Sequence, residues 1–163
     1  MTTLAIMIGL LVTPALAGAL LNRWTGRSVA NVNQLGCVGI ALLFVFTGIG
    51  HFLLTEPMAT MLPSWVPWRV SIVYVSGIIE FMAAIAVLIP RMQRPVGWGL
   101  IVMLLLFLPI NVYAAVNRVE LGGHEWGPIY LLIRVPHQLF IIAWIWWMAV
   151  RPAWQSGSNL AEG

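Results

Sequence analysis

The stretch VGWGLIVMLLLFLPINVYAAVN, residues 96–117, carries no charged side chain and no alternation of polar with apolar positions. A half-buried strand alternates, and a water-exposed helix shows a charged stripe; this stretch does neither. Coiled as an α-helix it is about 33 Å long, enough to cross hydrocarbon about 30 Å thick. Four further apolar runs of similar length lie at residues 3–22, 35–54, 69–90 and 128–150. The rest of the chain agrees. Of its 163 residues, 61% are hydrophobic and 8% charged, whereas a soluble domain carries about 25% charged residues. Lipid is the solvent that suits such a surface, and only helices or a closed barrel satisfy their backbone there. Continuous apolar runs favour helices over a barrel. The fold class expected is all-α: an integral membrane helical bundle of five spans. It forms a single membrane domain over residues 1–163 and ends in a short cytoplasmic tail, 151–163.

Composition excludes several functions. All eight basic residues are Arg, with no Lys and no Asp, a usage that fits a GC-rich bacterial genome. The net charge of +3 is spread over several connections, so no nucleic-acid-binding face is expected. Cys37 is the single cysteine, which rules out an internal disulfide or a C-x-x-C redox pair. No nicotinamide or flavin fingerprint and no cysteine ladder for iron–sulfur clusters is present, so no covalently bound cofactor and no metal are expected. His51 and His137 lack the carboxylate or thiolate partners of a metal site.

The distribution of Arg orients the spans. Arg23, Arg27, Arg91, Arg94 and Arg151 fall on one side if the five spans alternate; Arg69 and Arg118 fall on the other with Glu56, Glu120 and Glu125. The Arg-rich side is read as cytoplasmic, in a bacterial inner membrane, with the N-terminus outside. Trp24, Trp98, Trp146, Trp147 and Trp154 then mark the inner interface, and Trp65, Trp68 and Trp126 the outer one. Pro14 to Gly18 resembles a signal-peptide cleavage site, which would remove residues 1–17. The segment lacks a basic n-region, and cleavage would invert the remaining spans against the Arg bias, so it is read as a span. Residues 57–68 are too short and too rich in proline to cross, and are expected as a loop in the outer interface.

Bulky polar residues inside the spans are few, and each is informative. His51, Asn111 and Arg134 fall roughly 5–10 Å below the outer helix ends, and Glu80, His137 and Gln138 roughly 14–16 Å. Four helices thus place polar groups at a shared depth, which predicts one patch in the outer half. Arg134 and Gln138 are four residues apart and share a helix face, with His137 beside them. Ser76, Gly77, Glu80, Ala83 and Ala84 form a small-and-polar stripe suited to close helix packing. A charge in mid-span costs about 2.5–3.5 kcal/mol on the insertion scale. Glu80 and Arg134 are therefore expected to form a buried ion pair, completed by His51, Asn111 and Gln138. His124 reads as a solvated loop residue, and Gly122–Gly123 as a turn.

Four motifs in order carry a family resemblance: Gly48-Ile-Gly-His51-Phe52, Ser76-Gly77-Ile-Ile-Glu80, Pro109-Ile-Asn111-Val-Tyr113 and Arg134-Val-Pro136-His137-Gln138. Over about residues 35–150 the chain resembles the DoxX/DoxD-like membrane proteins. The resemblance implies a four-helix core with both ends in the cytoplasm, and it makes the first span an extra N-terminal transmembrane helix. It implies His51, Glu80, Asn111, Arg134 and Gln138 as the polar site, but no particular reaction. The family takes its name from a membrane subunit of a thiosulfate:quinone oxidoreductase, and other members resemble assembly factors.

Three functions follow from these readings. The first is a small-molecule-binding subunit of a redox-associated complex, not an enzyme on its own, with a diffusible quinone as its ligand. Quinone carbonyls need donors such as Arg134, His51 or Gln138 beside apolar walls, to which Phe52, Tyr74 and Tyr113 would contribute. The second is a non-enzymatic assembly or interaction protein, with the first span and the Trp-rich loop as surfaces for membrane or periplasmic partners. The third is a small proton-coupled transporter, since a mid-membrane carboxylate near His suits a proton relay.

Overall fold

The structure, a computed structural model, describes residues 2–151. Within them all regular structure is helical, and no strand forms. The helices are α1 (Thr2–Thr25), α2 (Val32–Leu53), α3 (Thr55–Thr60), α4 (Arg69–Ala86), α5 (Gln93–Val116) and α6 (Leu131–Ile145). A 3-10 turn, Pro90–Met92, leads into α5; a 3-10 stretch, His124–Tyr130, leads into α6; a π turn, Trp146–Val150, continues from it. Five runs are long and apolar enough to cross a membrane: α1, α2, α4, Pro90–Val116 and His124–Val150. These are the helices of a multi-pass membrane protein.

Three helices run about a turn beyond the expected spans, α1 to Thr25, α2 from Val32 and α5 from Gln93, and two boundaries fall short. The third span, expected to reach residue 90, ends at Ala86. Pro90 disfavours helical dihedrals at the residue before it, and Ile89 is extended at φ −86°, ψ 115°. In the last span, regular helix begins at Leu131 rather than 128. Gly127 adopts φ 73°, ψ −155°, a conformation no helix contains, and Pro128 follows it. The segment 57–68 does not cross. Its six-residue helix α3 buries Ala59, which packs with Leu62 against Val73 of α4, while Trp65 and Trp68 are exposed. Trp154 and the tail beyond Arg151 lie outside the described residues.

Short polar connections hold one end of the bundle. The Asn22 side chain at the end of α1 accepts from Val29 N at 2.9 Å and Ala30 N at 2.8 Å, and donates to Ala30 O. Asn31 then caps α2 by accepting from Gln34 N at 3.1 Å. Gln34 donates to Leu88 O beyond α4 and accepts from Gln93 Nε2 at the start of α5. Arg23, Arg27, Arg91 and Arg94 lie at or near these connections, so this is the basic end.

The apolar core fills the middle of the bundle and its basic half. Leu11 of α1, Ile40 and Leu43 of α2, Val87, Leu100 of α5, and Ile145 and Val150 at the chain's last turns are each at most 2% exposed. The first helix belongs to this core rather than lying outside it. It packs chiefly on α2, and a Cβ at Gly39 would run into the Leu11 carbonyl. Bare glycine lets the two backbones touch. The outer faces carry Leu16, Ile85, Leu106 and Leu132, all exposed, an apolar belt far larger than a water-soluble monomer shows.

Candidate binding cavity at the acidic end of the bundle

At the other end, with Glu56, Glu120 and Glu125, the helices enclose a cavity of about 510 Å³. That volume is in the range of small-molecule sites, roughly 300–1,000 Å³. Its walls are mostly apolar, from Leu4 and Met7 of α1, Phe44 of α2, Leu104 and Phe107 of α5, and Ile141 of α6. All six polar residues singled out from the sequence line it: His51, Glu80, Asn111, Arg134, His137 and Gln138. The buried polar residues of the described chain are Thr55, Glu80, Asn111, His124, His137 and Gln138. Every one of them belongs to this half of the bundle.

His51 ends α2 directly against α4. The two helices approach at Gly77, where an added Cβ would stand 2.8 Å from His51 Cβ. Across that gap His51 Nδ1 lies 3.0 Å from Val73 O and 2.9 Å from Ser76 Oγ. A carbonyl only accepts, so the hydrogen-bond network assigns a proton to Nδ1. The opposite nitrogen, Nε2, is 3.5 Å from Glu80 Oε1. Glu80 is 3% exposed, and its second oxygen, Oε2, has no partner.

This arrangement corrects the expected ion pair. Glu80 pairs with His51, and no Glu80–Arg134 pair forms. The reason lies in the packing: α4 packs chiefly on α2, and α6 on α5, so the two charges face the cavity from helices that share little contact. Asn111 and Gln138 do not complete such a pair either. Asn111 Nδ2 donates to Phe107 O at 3.0 Å and to Gln138 Oε1 at 3.4 Å, and Gln138 Nε2 donates to Leu104 O. These amides satisfy one another and fasten α6 to α5.

Arg134 and His137, three residues apart on α6, are left without such partners. Arg134 Nε and both ring nitrogens of His137 are buried with no hydrogen bond. Unpaired buried polar groups carry a penalty of about 1–3 kcal/mol each, and more when charged.

His124 is not solvated, as its loop position implied, but 3% exposed and part of the cavity wall. Its Nδ1 lies 2.6 Å from Leu121 O, and its ring meets Tyr130 edge-on at 4.9 Å. The connection folds inward because Gly122, Gly123 and Gly127 all take positive φ. A Cβ at Gly123 would come within 2.6 Å of the Tyr130 ring. Glycines flanking a His-Glu-Trp stretch were the one trace of this in the sequence. The contribution of Thr3, Leu4 and Met7 to the wall left no trace there, because α1 is nearly uniform in polarity. Among the described residues, no group of three or more His, Cys, Asp or Glu side chains converges as metal ligands.

Fold and site together define a multi-pass helical membrane protein with a mostly apolar cavity, lined by a few polar side chains, at one end of the bundle. The sequence model of a domain of unknown function, DUF8561, matches residues 40–149. The chain belongs to that family. No curated protein and no solved structure matches it.

Proposed function

We propose that this protein binds an amphiphilic small molecule, a quinone foremost, and serves as a membrane subunit of a redox-associated complex. One observation supports this above the others: Arg134, His137 and Glu80, each holding a buried polar atom without a hydrogen bond, line one cavity whose walls are mostly apolar. Quinone carbonyls would accept from Arg134 and His137, while the ring and tail would lie against Phe107, Leu4 and Met7. Electrons would come from a partner, since the chain has no cofactor fingerprint of its own. The order of the four motifs supports a DoxX-type core with α1 added. The Arg bias supports an inner-membrane location with the N-terminus outside, which puts the cavity in the outer half.

Purified protein in lipid nanodiscs should yield a quinone on solvent extraction or bind one on titration. Absence of both, in folded protein, would count against the reading.

The His51–Glu80 pair keeps a proton-coupled transporter in view. The buried residues of the basic half are all apolar or glycine, however, and a closed apolar half suits a binding pocket better than a path. Exposed Trp65 and Trp68 would serve an assembly role, for which a partner captured through that loop would be the test.

A further inference from the structure

The charges lining the cavity do not balance, and their sum specifies the charge of what fills it. His51 Nδ1 is committed to Val73 O, so the contact between Nε2 and Glu80 Oε1 needs a proton of its own. Without one, two sets of lone pairs would face each other. That proton sits either on the ring or on the carboxyl, and in both cases His51 and Glu80 together carry no net charge. The other carboxylates at this end, Glu56, Glu120 and Glu125, are exposed, and Glu125 accepts from Gly123 N at 3.1 Å. None is seen in an ion pair with Arg134, and the buried Glu80 is taken up by His51. The guanidinium of Arg134 therefore stands in the cavity wall as a positive charge without a counterion. A charge held inside the bundle without a partner is among the more expensive features a fold can carry.

We infer that the cavity is built for a monoanionic amphiphile, whose charged oxygen sits against Arg134 and His137 and whose apolar body lies along α1 and α5. This rests on the small-molecule reading above and narrows it. Ionised hydroxyquinones and long-chain carboxylates share the required chemistry: one negative oxygen group on an apolar body. His137 lies one turn from Arg134 on α6 and lines the same cavity, with the Leu4 backbone of α1 near its ring, so its second ring nitrogen can donate beside the guanidinium. Glu80 of α4 lines the same cavity, with one carboxylate oxygen, Oε2, lacking a partner.

The test uses the full chain in nanodiscs and two matched pairs of probes. One pair is an alkylated hydroxynaphthoquinone, ionised near neutral pH, and its neutral methyl ether. The other is palmitate and hexadecanol. The anion of each pair should bind more tightly than its neutral mate by on the order of ten- to a hundredfold, the worth of one charge-assisted hydrogen-bonded contact. Arg134→Gln should abolish the preference, and Arg134→Lys should keep part of it. Equal affinities within both pairs, or a preference that survives Arg134→Gln, would overturn the charge inference while leaving small-molecule binding intact. Arg134-dependent palmitate binding with neither naphthoquinone bound would uphold the charge inference and remove the quinone. Failure of all four probes would remove both. If Arg134→Gln does not fold, the ratios in the unmodified chain and in Arg134→Lys decide.

Discussion

His51 on α2 and Glu80 on α4 meet at 3.5 Å beside a close approach between their helices, an approach that exists because residue 77 has no side chain. Two groups that would each be expensive in the bundle interior thereby satisfy one another, with Ser76 and the Val73 carbonyl holding the far side of the ring. The pair is a unit, and its members should not act independently on stability.

Replacing Glu80 by Ala, or His51 by Ala, should each lower stability by about 1–3 kcal/mol, because each strands the other's polar group. The double variant should lose less than the sum, with a coupling of about 0.5–3 kcal/mol. Denaturant unfolding in detergent, read as a double-mutant cycle, measures this. Strict additivity would show that the contact carries no energy.

Gly77→Ala should be destabilising by about 1–3 kcal/mol, since the new methyl presses on His51 and Phe52 and forces the helices apart. Gly99→Ala is the matched control. Nothing lies within 4 Å of a Cβ there, so the change should be neutral or stabilising by up to about 1 kcal/mol through helix propensity. Thermal unfolding of the two variants side by side would expose any general intolerance of glycine replacement.

Removing residues 2–30 should cost the protein its cavity and not only a partner surface. Leu11 and Ala15 of α1 are buried in the core, and Leu4 and Met7 form part of the cavity wall. The truncated chain should lose monodispersity on size exclusion, or, where it survives, any measurable probe binding. A truncated chain that is folded and binds as before would show α1 to be an appendage.

Cysteine labelling in intact cells tests the orientation. Both sites chosen, Glu120 and Ser28, are exposed at opposite ends of the bundle. Glu120→Cys should react with a membrane-impermeant maleimide from outside, and Ser28→Cys should react only after permeabilisation, as the Arg bias requires. Native Cys37 is buried and should stay silent in both cases.

The five crossing helices were legible because hydrophobic length is read along one chain and needs no knowledge of neighbours. Six of the cavity's polar residues were legible for a related reason, since depth along a helix follows from rise per residue. Pairing was not legible. Which of Arg134 and His51 reaches Glu80 depends on which helices touch, and that is decided by Gly77 and Gly48, whose partners lie on another helix. His124 was missed because its burial comes from three positive-φ glycines folding a connection inward, a three-dimensional consequence that a turn-like composition does not reveal. The share of α1 in the cavity was hidden for want of any polar stripe to orient that helix.

An experimental density map of the protein purified in native lipid nanodiscs tests the central claim most directly. It should show an elongated non-protein feature in the cavity at the acidic end, with its head against Arg134 and His137 and its body beside Leu4, Met7 and Phe107. A cavity closed by packed side chains, or Arg134 and Glu80 turned outward to the acyl chains, would contradict it.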